Sequence, residues 1–333
     1  MNVTVLGSGG WGTALAMVLH DNHHAISLWS AFPEESARLR ETLENPYLPG
    51  VTLPDDIVYT DDIACVAGAD LVVLAVPSFA VRNTARALAK HIRAGVTPVV
   101  IVSKGIERES GAHFVDVVAD ELGADVALAA LSGPSHAEEV ARHVPTACVA
   151  VAHDIAVAEL VQDTFMNDRF RVYTSTDVIG VELGAALKNV FALAVGISDG
   201  LGHGDNTTAA LMTRGLSEMT RLALALGGNR STLAGLAGLG DLIVTCTSRH
   251  SRNRRAGVYI GQGLCVADAM DRVGAVVEGY YAAEAGMKLA AEAGIDMPIL
   301  AEVYQVLYEN KPPAQVLHDL MTRSKRAEYD VFC

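Results

Sequence analysis

Two lysines in this chain stand where a positive charge calls for a reason. Lys188 lies in Glu182-Leu-Gly-Ala-Ala-Leu-Lys-Asn189-Val-Phe-Ala-Leu-Ala-Val195, a helical run with little polar company beside it except Asn189. Lysines avoid full burial unless paired or functional, so this ammonium either snorkels to a surface or points into a site. To act as a base near neutrality it has to titrate about 3 pH units below the ordinary ~10.4, roughly 4 kcal/mol of differential interaction. A second cation close by contributes to such a shift. Lys104, in Val102-Ser-Lys-Gly105, is a candidate for that cation because it follows a β-rich run, although a solvated turn lysine reads the same way. A third feature is the basic knot Arg249-His-Ser-Arg-Asn-Arg-Arg255, set in a chain with 25 basic and 39 acidic side chains. A formal charge of −14 repels polyanions, so the knot points to a small phosphorylated ligand rather than to nucleic acid.

These groups need a scaffold, and the first half of the chain supplies a regular one. Val3-Thr-Val-Leu6, Ala25-Ile-Ser-Leu-Trp29, Leu71-Val-Val-Leu-Ala75, Pro98-Val-Val-Ile-Val102 and Ala127-Leu-Ala-Ala-Leu131 are β-rich runs alternating with helical patterns. That rhythm predicts a mostly parallel, doubly wound sheet covered by helices, with Thr146 to Val151 and Phe170 to Tyr173 as possible extensions. Beyond about Ile179 helical spacing takes over. The expected fold is an α/β domain over residues 1–180 followed by an all-α domain over residues 181–333.

The first strand runs into Gly7-Ser-Gly9-Gly10-Trp11-Gly12, a Gly-x-Gly-x-x-Gly that opens a helix. Gly7 permits the turn, Gly9 lets backbone approach a pyrophosphate and Gly12 lets the helix pack closely on the strand. The expectation is a Rossmann-like dinucleotide site. An acidic residue at the end of the second strand favours NAD and a basic one NADP, but the chain reads Ser30-Ala31-Phe32-Pro33 there, with Glu34, Glu35 and Arg38 just beyond. Without an arginine to hold a 2′-phosphate, NAD is favoured. Leu131-Ser-Gly133-Pro-Ser135-His136-Ala137-Glu-Glu139 reads mainly as a helix start capped by Ser135, whose free N–H groups are also open to a ligand.

Composition excludes several classes. The 333 residues, half of them apolar, suffice for two domains with substantial cores. Five scattered cysteines (Cys65, Cys148, Cys246, Cys265, Cys333) without a Cys-x-x-Cys pair suit reduced thiols in a cytoplasmic protein and no zinc site. No export signal or membrane-spanning segment is read, since every long apolar stretch is interrupted.

Taken together and in order, the motifs resemble NAD(P)-dependent sn-glycerol-3-phosphate dehydrogenases of the bacterial soluble type. The resemblance rests on Gly7 to Ala16, Asn45-Pro-Tyr-Leu-Pro-Gly50, Val102 to Gly105, Ser132 to Glu139, Leu183 to Asn189, Gly204-Asp-Asn206, Ala237-Gly-Leu-Gly-Asp-Leu242, Ser251-Arg-Asn-Arg-Arg255 and Val277-Glu-Gly279. It implies interconversion of glycerol 3-phosphate and dihydroxyacetone phosphate, supplying glycerol 3-phosphate for phospholipid synthesis. It further implies that Lys188 is the proton donor and acceptor, Lys104 the second active-site lysine, and Asp241 the carboxylate that binds a substrate hydroxyl and steadies the ammonium. Asn189 and Thr245 are expected as supporting groups and Gly133 and Ser135 as substrate contacts. Ser251, Arg252 and Asn253 are expected to hold the substrate phosphate, with Arg252 also reaching the cofactor phosphates. Gly7, Gly9, Gly10, Trp11, Gly12, Phe32, Pro77, Phe79, Lys104, Ala137, Val276 and Glu278 complete the expected cofactor contacts.

Departures and rivals bound the reading. Ala31-Phe32 replaces the arginine that NADP-using members often carry. His136 and His203 invite catalytic readings because of their residue type but are assigned to packing or exposure, and Arg249, Arg254 and Arg255 are left to structural or solvated roles. A related β-hydroxyacid dehydrogenase, or a dinucleotide sensor without turnover, keeps the same architecture. A homodimer through the apolar helical half is expected.

Overall fold

The computed structural model describes residues 1–325, 327 and 328; of the five cysteines, Cys333 lies outside them and the other four are free thiols. Eight strands make one sheet: β1 (Asn2–Leu6), β2 (Ala25–Trp29), β3 (Val58–Thr60), β4 (Leu71–Leu74), β5 (Val99–Ile101), β6 (Leu128–Ser132), β7 (Thr146–Val151) and β8 (Phe170–Ser175). Their spatial order is β3-β2-β1-β4-β5-β6-β7-β8. Each of the seven apolar runs picked out in the sequence forms a strand. The eighth, β3, is a three-residue edge piece in which only Tyr59 is buried, too short for alternation to register.

All neighbouring strands are parallel except β6 and β7. The exception has a geometric cause. The helix between them, Ala137–Val140, has four residues and climbs only about 6 Å, less than the ~16 Å length of a five-residue strand, so the chain re-enters the sheet running the other way. Elsewhere helices carry the chain back along both faces, and two separate apolar clusters fill the spaces beneath them. From β1 the sheet grows through β2 to β3 on one side and through β4 onwards on the other. That reversal opens a crevice at the C-terminal ends of β1 and β4, the place where open α/β sheets receive ligands.

β8 ends at Ser175, and the helix Val178–Gly200 begins after two intervening residues. Among the described residues it is the one helix long and apolar enough to cross a membrane, and 94% of its apolar window is packed inside the protein. A helix that is apolar all round belongs in a core, and this one is wrapped by Asp205–Ala225, Asp241–Thr247, Arg252–Gly261, Glu278–Ala293 and Pro298–Tyr308. Its closest crossing is with Arg252–Gly261. A Cβ on Gly196 would stand 2.1 Å from the carbonyl oxygen of Arg254, and one on Gly257 would stand 2.3 Å from that of Leu193. Only glycine permits this approach, and it brings the start of the Arg252–Gly261 helix against Asn189.

Candidate active site

The glycine turn after β1 is built as its spacing requires. Gly7 has φ +123°, and a Cβ there would meet the carbonyl oxygen of Ala75 at 2.5 Å; one on Gly12 would meet the Gly7 oxygen at 2.0 Å. Gly9 differs: it is exposed, caps the helix Gly10–Asp21, and a Cβ on it would touch nothing within 4 Å. Open space in front of unpaired helix N–H groups is what a pyrophosphate needs. Gly10 faces Ala137, whose Cβ would lie 3.6 Å from a Cβ on Gly10, so the turn after β6 meets the turn after β1. Phe32 and Phe79 stand 56% and 65% exposed at the ends of β2 and β4, with Pro77 exposed beside Phe79. Trp11 instead packs on the apolar core under the sheet, its Nε1 buried without a partner.

Beyond β2 the backbone carries no charge where an acid was sought, but the side chain of Glu35 returns to that spot. Its Oε2 accepts hydrogen bonds from the hydroxyls of Ser8, at 3.0 Å, and Ser30, at 2.8 Å, placing a carboxylate between the glycine turn and the end of β2. Arg38 is exposed.

On the far side of the crevice Lys104, Lys188 and Asp241 form one cluster. Asp241 is 1% exposed and starts the helix Asp241–Thr247, where the helix dipole favours a carboxylate. Its Oδ2 lies 2.9 Å from Lys104 Nζ, and its Oδ1 pairs with Lys188 Nζ. Lys188, 5% exposed, also donates to Thr245 Oγ1 at 3.0 Å, and that hydroxyl donates in turn to the Asp241 carbonyl. Lys104 donates to the Gly133 carbonyl at 2.9 Å and to Ser135 Oγ at 3.2 Å.

An ammonium has three N–H donors, so Lys104 is fully committed whereas Lys188, with two partners, keeps one direction for a ligand. The electrostatics separate the pair further. Burial pushes Lys188 down, Asp241 opposes it and Lys104 adds to it, leaving Lys188 at about 7. Burial would raise Asp241, but Lys104 and Lys188 outweigh it and hold the carboxyl below its ordinary range. The cluster thus contains one fixed carboxylate, one committed cation and one amine that can exchange a proton near neutrality.

The basic knot divides along the helix it opens. Ser251 caps Arg252–Gly261, its Oγ accepting from the Arg254 N–H at 3.2 Å. Arg252 is exposed and has no hydrogen bond or ion pair with any described residue. Asn253 is buried in a relay: Gly279 N–H donates to its Oδ1 at 2.8 Å, and its Nδ2 donates to Asn189 Oδ1 at 2.9 Å. Arg254 pairs with Asp199 at 2.6 Å, Arg255 reaches the Val273 carbonyl at 3.4 Å, and Arg249 is exposed. Glu278 closes the opposite wall, accepting from the Ser78 N–H at 3.3 Å, with Val276 half-buried two residues before it. Burial raises the Glu278 carboxyl, opposed by Ser78 and Arg252.

The sequence-derived site residues therefore fall into three adjoining groups: the glycine turn with its exposed phenylalanines, the lysine–carboxylate cluster, and the start of the Arg252–Gly261 helix. Two contributors were not anticipated, Glu35 in its hydrogen-bonded position and the glycine crossing at Gly196 and Gly257. The crossing had a signal in the paired four-residue spacings Gly196/Gly200 and Gly257/Gly261. His136 lies beside the cluster with its Nε2 buried and unpaired, and burial holds its imidazole below the usual histidine range. His203 Nδ1 lies 3.2 Å from Ser198 Oγ.

Comparison with known proteins is consistent in both halves. Residues 2–158 match the family model described as NAD-dependent glycerol-3-phosphate dehydrogenase N-terminus, and residues 177–318 match its C-terminus counterpart. The chain is 53% identical over 331 residues to a glycerol-3-phosphate dehydrogenase [NAD(P)+] of Moorella thermoacetica, covering 99% of this chain and 98% of the relative. It is 50% identical over 330 residues to one of Agathobacter rectalis, covering 98% and 97%. The crystal structure of the glycerol-3-phosphate dehydrogenase from Coxiella burnetii superposes with a TM-score of 0.93 at 38% identity, over 97% of this chain and 99% of that one.

Proposed function

The chain belongs to the NAD-dependent glycerol-3-phosphate dehydrogenase family, and from that premise we propose how its residues interconvert sn-glycerol 3-phosphate and dihydroxyacetone phosphate. It is an NAD(P)-dependent oxidoreductase acting on a small phosphorylated substrate. The observation that carries the mechanism is the cluster at Asp241: one committed ammonium, Lys104, and one ammonium with a free N–H, Lys188. Gly7, Gly9 and Gly12 would hold the nicotinamide cofactor at the turn after β1, and its chemistry there would be to supply or accept a hydride. In reduction Lys188 gives its proton to the C2 carbonyl oxygen; in oxidation neutral Lys188 takes it from the C2 hydroxyl. Asp241 holds Lys188 in place and Lys104 adds fixed positive charge beside the developing oxyanion. Arg252, the capped helix start at Ser251 and the remaining donor of Asn253 take the substrate phosphate, which orients C2 towards Lys188.

Three finer points belong to the same reading. Residues 1–180 bind the dinucleotide and residues 181–333 carry the proton chemistry. Glu35 favours NAD over NADP, because its carboxylate repels a 2′-phosphate and can accept from ribose hydroxyls. The protein works in the cytoplasm as a source of glycerol 3-phosphate for phospholipid synthesis, and pairs as a homodimer through its helical half; a monomer mass in light scattering would remove the dimer.

Initial rates with dihydroxyacetone phosphate and either NADH or NADPH, beside a panel of phosphorylated and unphosphorylated ketones, test the assignment. The expected outcome is turnover confined to the phosphorylated triose, faster with NADH. Equal rates on unphosphorylated dihydroxyacetone would remove the phosphate role of Arg252 and Asn253, and turnover of hydroxy acids alone would remove the substrate.

A further inference from the structure

Outside the catalytic cluster the core helix buries a second ionisable group, Glu182, which the mechanism does not use. Glu182 is 4% exposed and lies six residues before Lys188, about 9 Å along the helix. Its carboxylate leaves the helical half altogether. Oε2 accepts from the Val115 N–H at 3.3 Å, at the start of the helix Phe114–Leu122 of the nucleotide-binding half. That helix has no cap of its own: His113 occupies the cap position without a side-chain hydrogen bond, and its Nδ1 is buried, unpaired and 4.0 Å from Glu182 Oε2. Free N–H groups at a buried helix start need an acceptor, and here it comes from the other half of the molecule. The surrounding apolar contacts cross the same boundary, since Val178, Val181 and Ala237 share one cluster with Phe114, Val115 and Val118.

The capped helix leads directly to Lys104. A Cβ on Gly105 would lie 3.1 Å from the ring of Phe114, so the residue after Lys104 rests on the first residue of the helix that Glu182 caps. Ile106, next along, is buried in the core of the helical half. A closed circuit results: Glu182 to the helix start at Phe114 and Val115, through Gly105 to Lys104, across Asp241 to Lys188, and back along the helix to Glu182. We infer that Glu182 is a positioning residue that sets the placement of Lys104 relative to Lys188, so that both ammoniums meet the one carboxylate of Asp241. Burial supports a role that tolerates no free charge: it raises the Glu182 carboxyl to about 8, with the Val115 and Phe114 N–H groups lowering it and Asp116 raising it. His113 is held low by burial, with Asp116 opposing. A protonated carboxyl still offers a carbonyl oxygen to the helix start, so glutamine fulfils the same task.

The inference rests on the proton-transfer reading given above, and its test keeps the two apart. Glu182→Ala and Glu182→Gln are compared with the parent by thermal unfolding, steady-state kinetics and the pH dependence of Lys188 labelling by an amine-selective reagent, read by mass spectrometry. For Glu182→Ala the expected kcat is at least about tenfold below the parent, while the KM for NADH stays within about threefold, because groups are misplaced rather than binding lost. Glu182→Gln restores kcat to within about threefold of the parent. The labelling midpoint of Lys188 in Glu182→Ala rises by about one pH unit towards the ordinary lysine range, as Lys104 moves away and water enters. Should Glu182→Ala not fold, Glu182→Asp, withdrawn by one methylene, takes its place under the same criteria. An unchanged kcat and labelling midpoint, or a glutamine variant no better than alanine, overturns the inference. A parent without turnover on dihydroxyacetone phosphate removes the substrate reading, while the labelling shift still decides the role of Glu182.

Discussion

The two ends of the candidate site are built on opposite plans. At the lysine cluster every polar group but one N–H of Lys188 already has a protein partner, and the carboxylate at its centre is 1% exposed. At the binding end several groups are unengaged: Arg252 makes no hydrogen bond or ion pair with a described residue, Phe32 and Phe79 are exposed, and a Cβ on Gly9 would meet nothing within 4 Å. Groups that stabilise charge during reaction must be aimed beforehand, so their orientation is paid for in folding. Groups that grip a ligand gain by waiting, because their contacts form only when the anion or ring arrives. The contrast predicts that substitutions at the cluster damage both stability and turnover, and substitutions at the open end damage binding alone.

Asp241→Asn should break the contrast most severely. Removing one partner from a buried ion cluster costs about 3–5 kcal/mol, readable as a lower midpoint in urea unfolding. Its kcat should fall by about 100-fold or more, equivalent to ~3 kcal/mol, since the two neighbouring ammoniums then repel without a carboxylate between them. Unchanged stability would place the cluster's charges in better contact with water than its burial indicates.

Arg252→Ala should lose about 10- to 100-fold in kcat/KM for dihydroxyacetone phosphate, the worth of a charged hydrogen bond at about 1.5–3 kcal/mol, with the unfolding midpoint unmoved. A fall in stability comparable to that of Asp241→Asn would erase the distinction between the two ends.

The smallest effect comes from pH and sharpens the assignment at the closed end. Lys188 is depressed by burial, opposed by Asp241 and assisted by Lys104, and titrates at about 7. Oxidation of glycerol 3-phosphate needs the neutral amine, so its kcat should rise as pH increases through that value. Reduction needs the ammonium, so its kcat should fall over the same range. Asp241 stays ionised across the window because the two lysines outweigh its burial and hold its carboxyl low. Profiles with the same slope in both directions would remove Lys188 from the proton transfer.

How much of this was legible beforehand follows the same division. The sheet could be read because its strands are apolar, short and bounded by turns, and the glycine turn because Gly7 and Gly12 each have a steric cause while Gly9 leaves the backbone open to a ligand. β3 escaped because three residues on an edge carry too little pattern, and the antiparallel entry of β7 because the length of a helix cannot be judged from Ala137-Glu-Glu-Val140 alone. Lys188 could be singled out but not placed, since a lysine stem can snorkel from most helices; an apolar helix around its whole circumference was the sign that it could not. Asp241, in contrast, was recognised only through its motif, because the fold and not local spacing brings a residue 53 positions downstream against Lys188. Glu35 shows the limit most plainly. The acid sought at the end of β2 comes back from the following helix, and only the hydroxyls of Ser8 and Ser30 reveal where it points.

The most direct test of the central claim is the kcat of Lys188→Ala at saturating dihydroxyacetone phosphate and NADH, with NADH binding checked separately by fluorescence. The account predicts unimpaired NADH binding and a loss of at least about 1000-fold, ~4 kcal/mol of transition-state stabilisation. Turnover within about tenfold of the parent, ~1.4 kcal/mol, would show that the proton comes from another group.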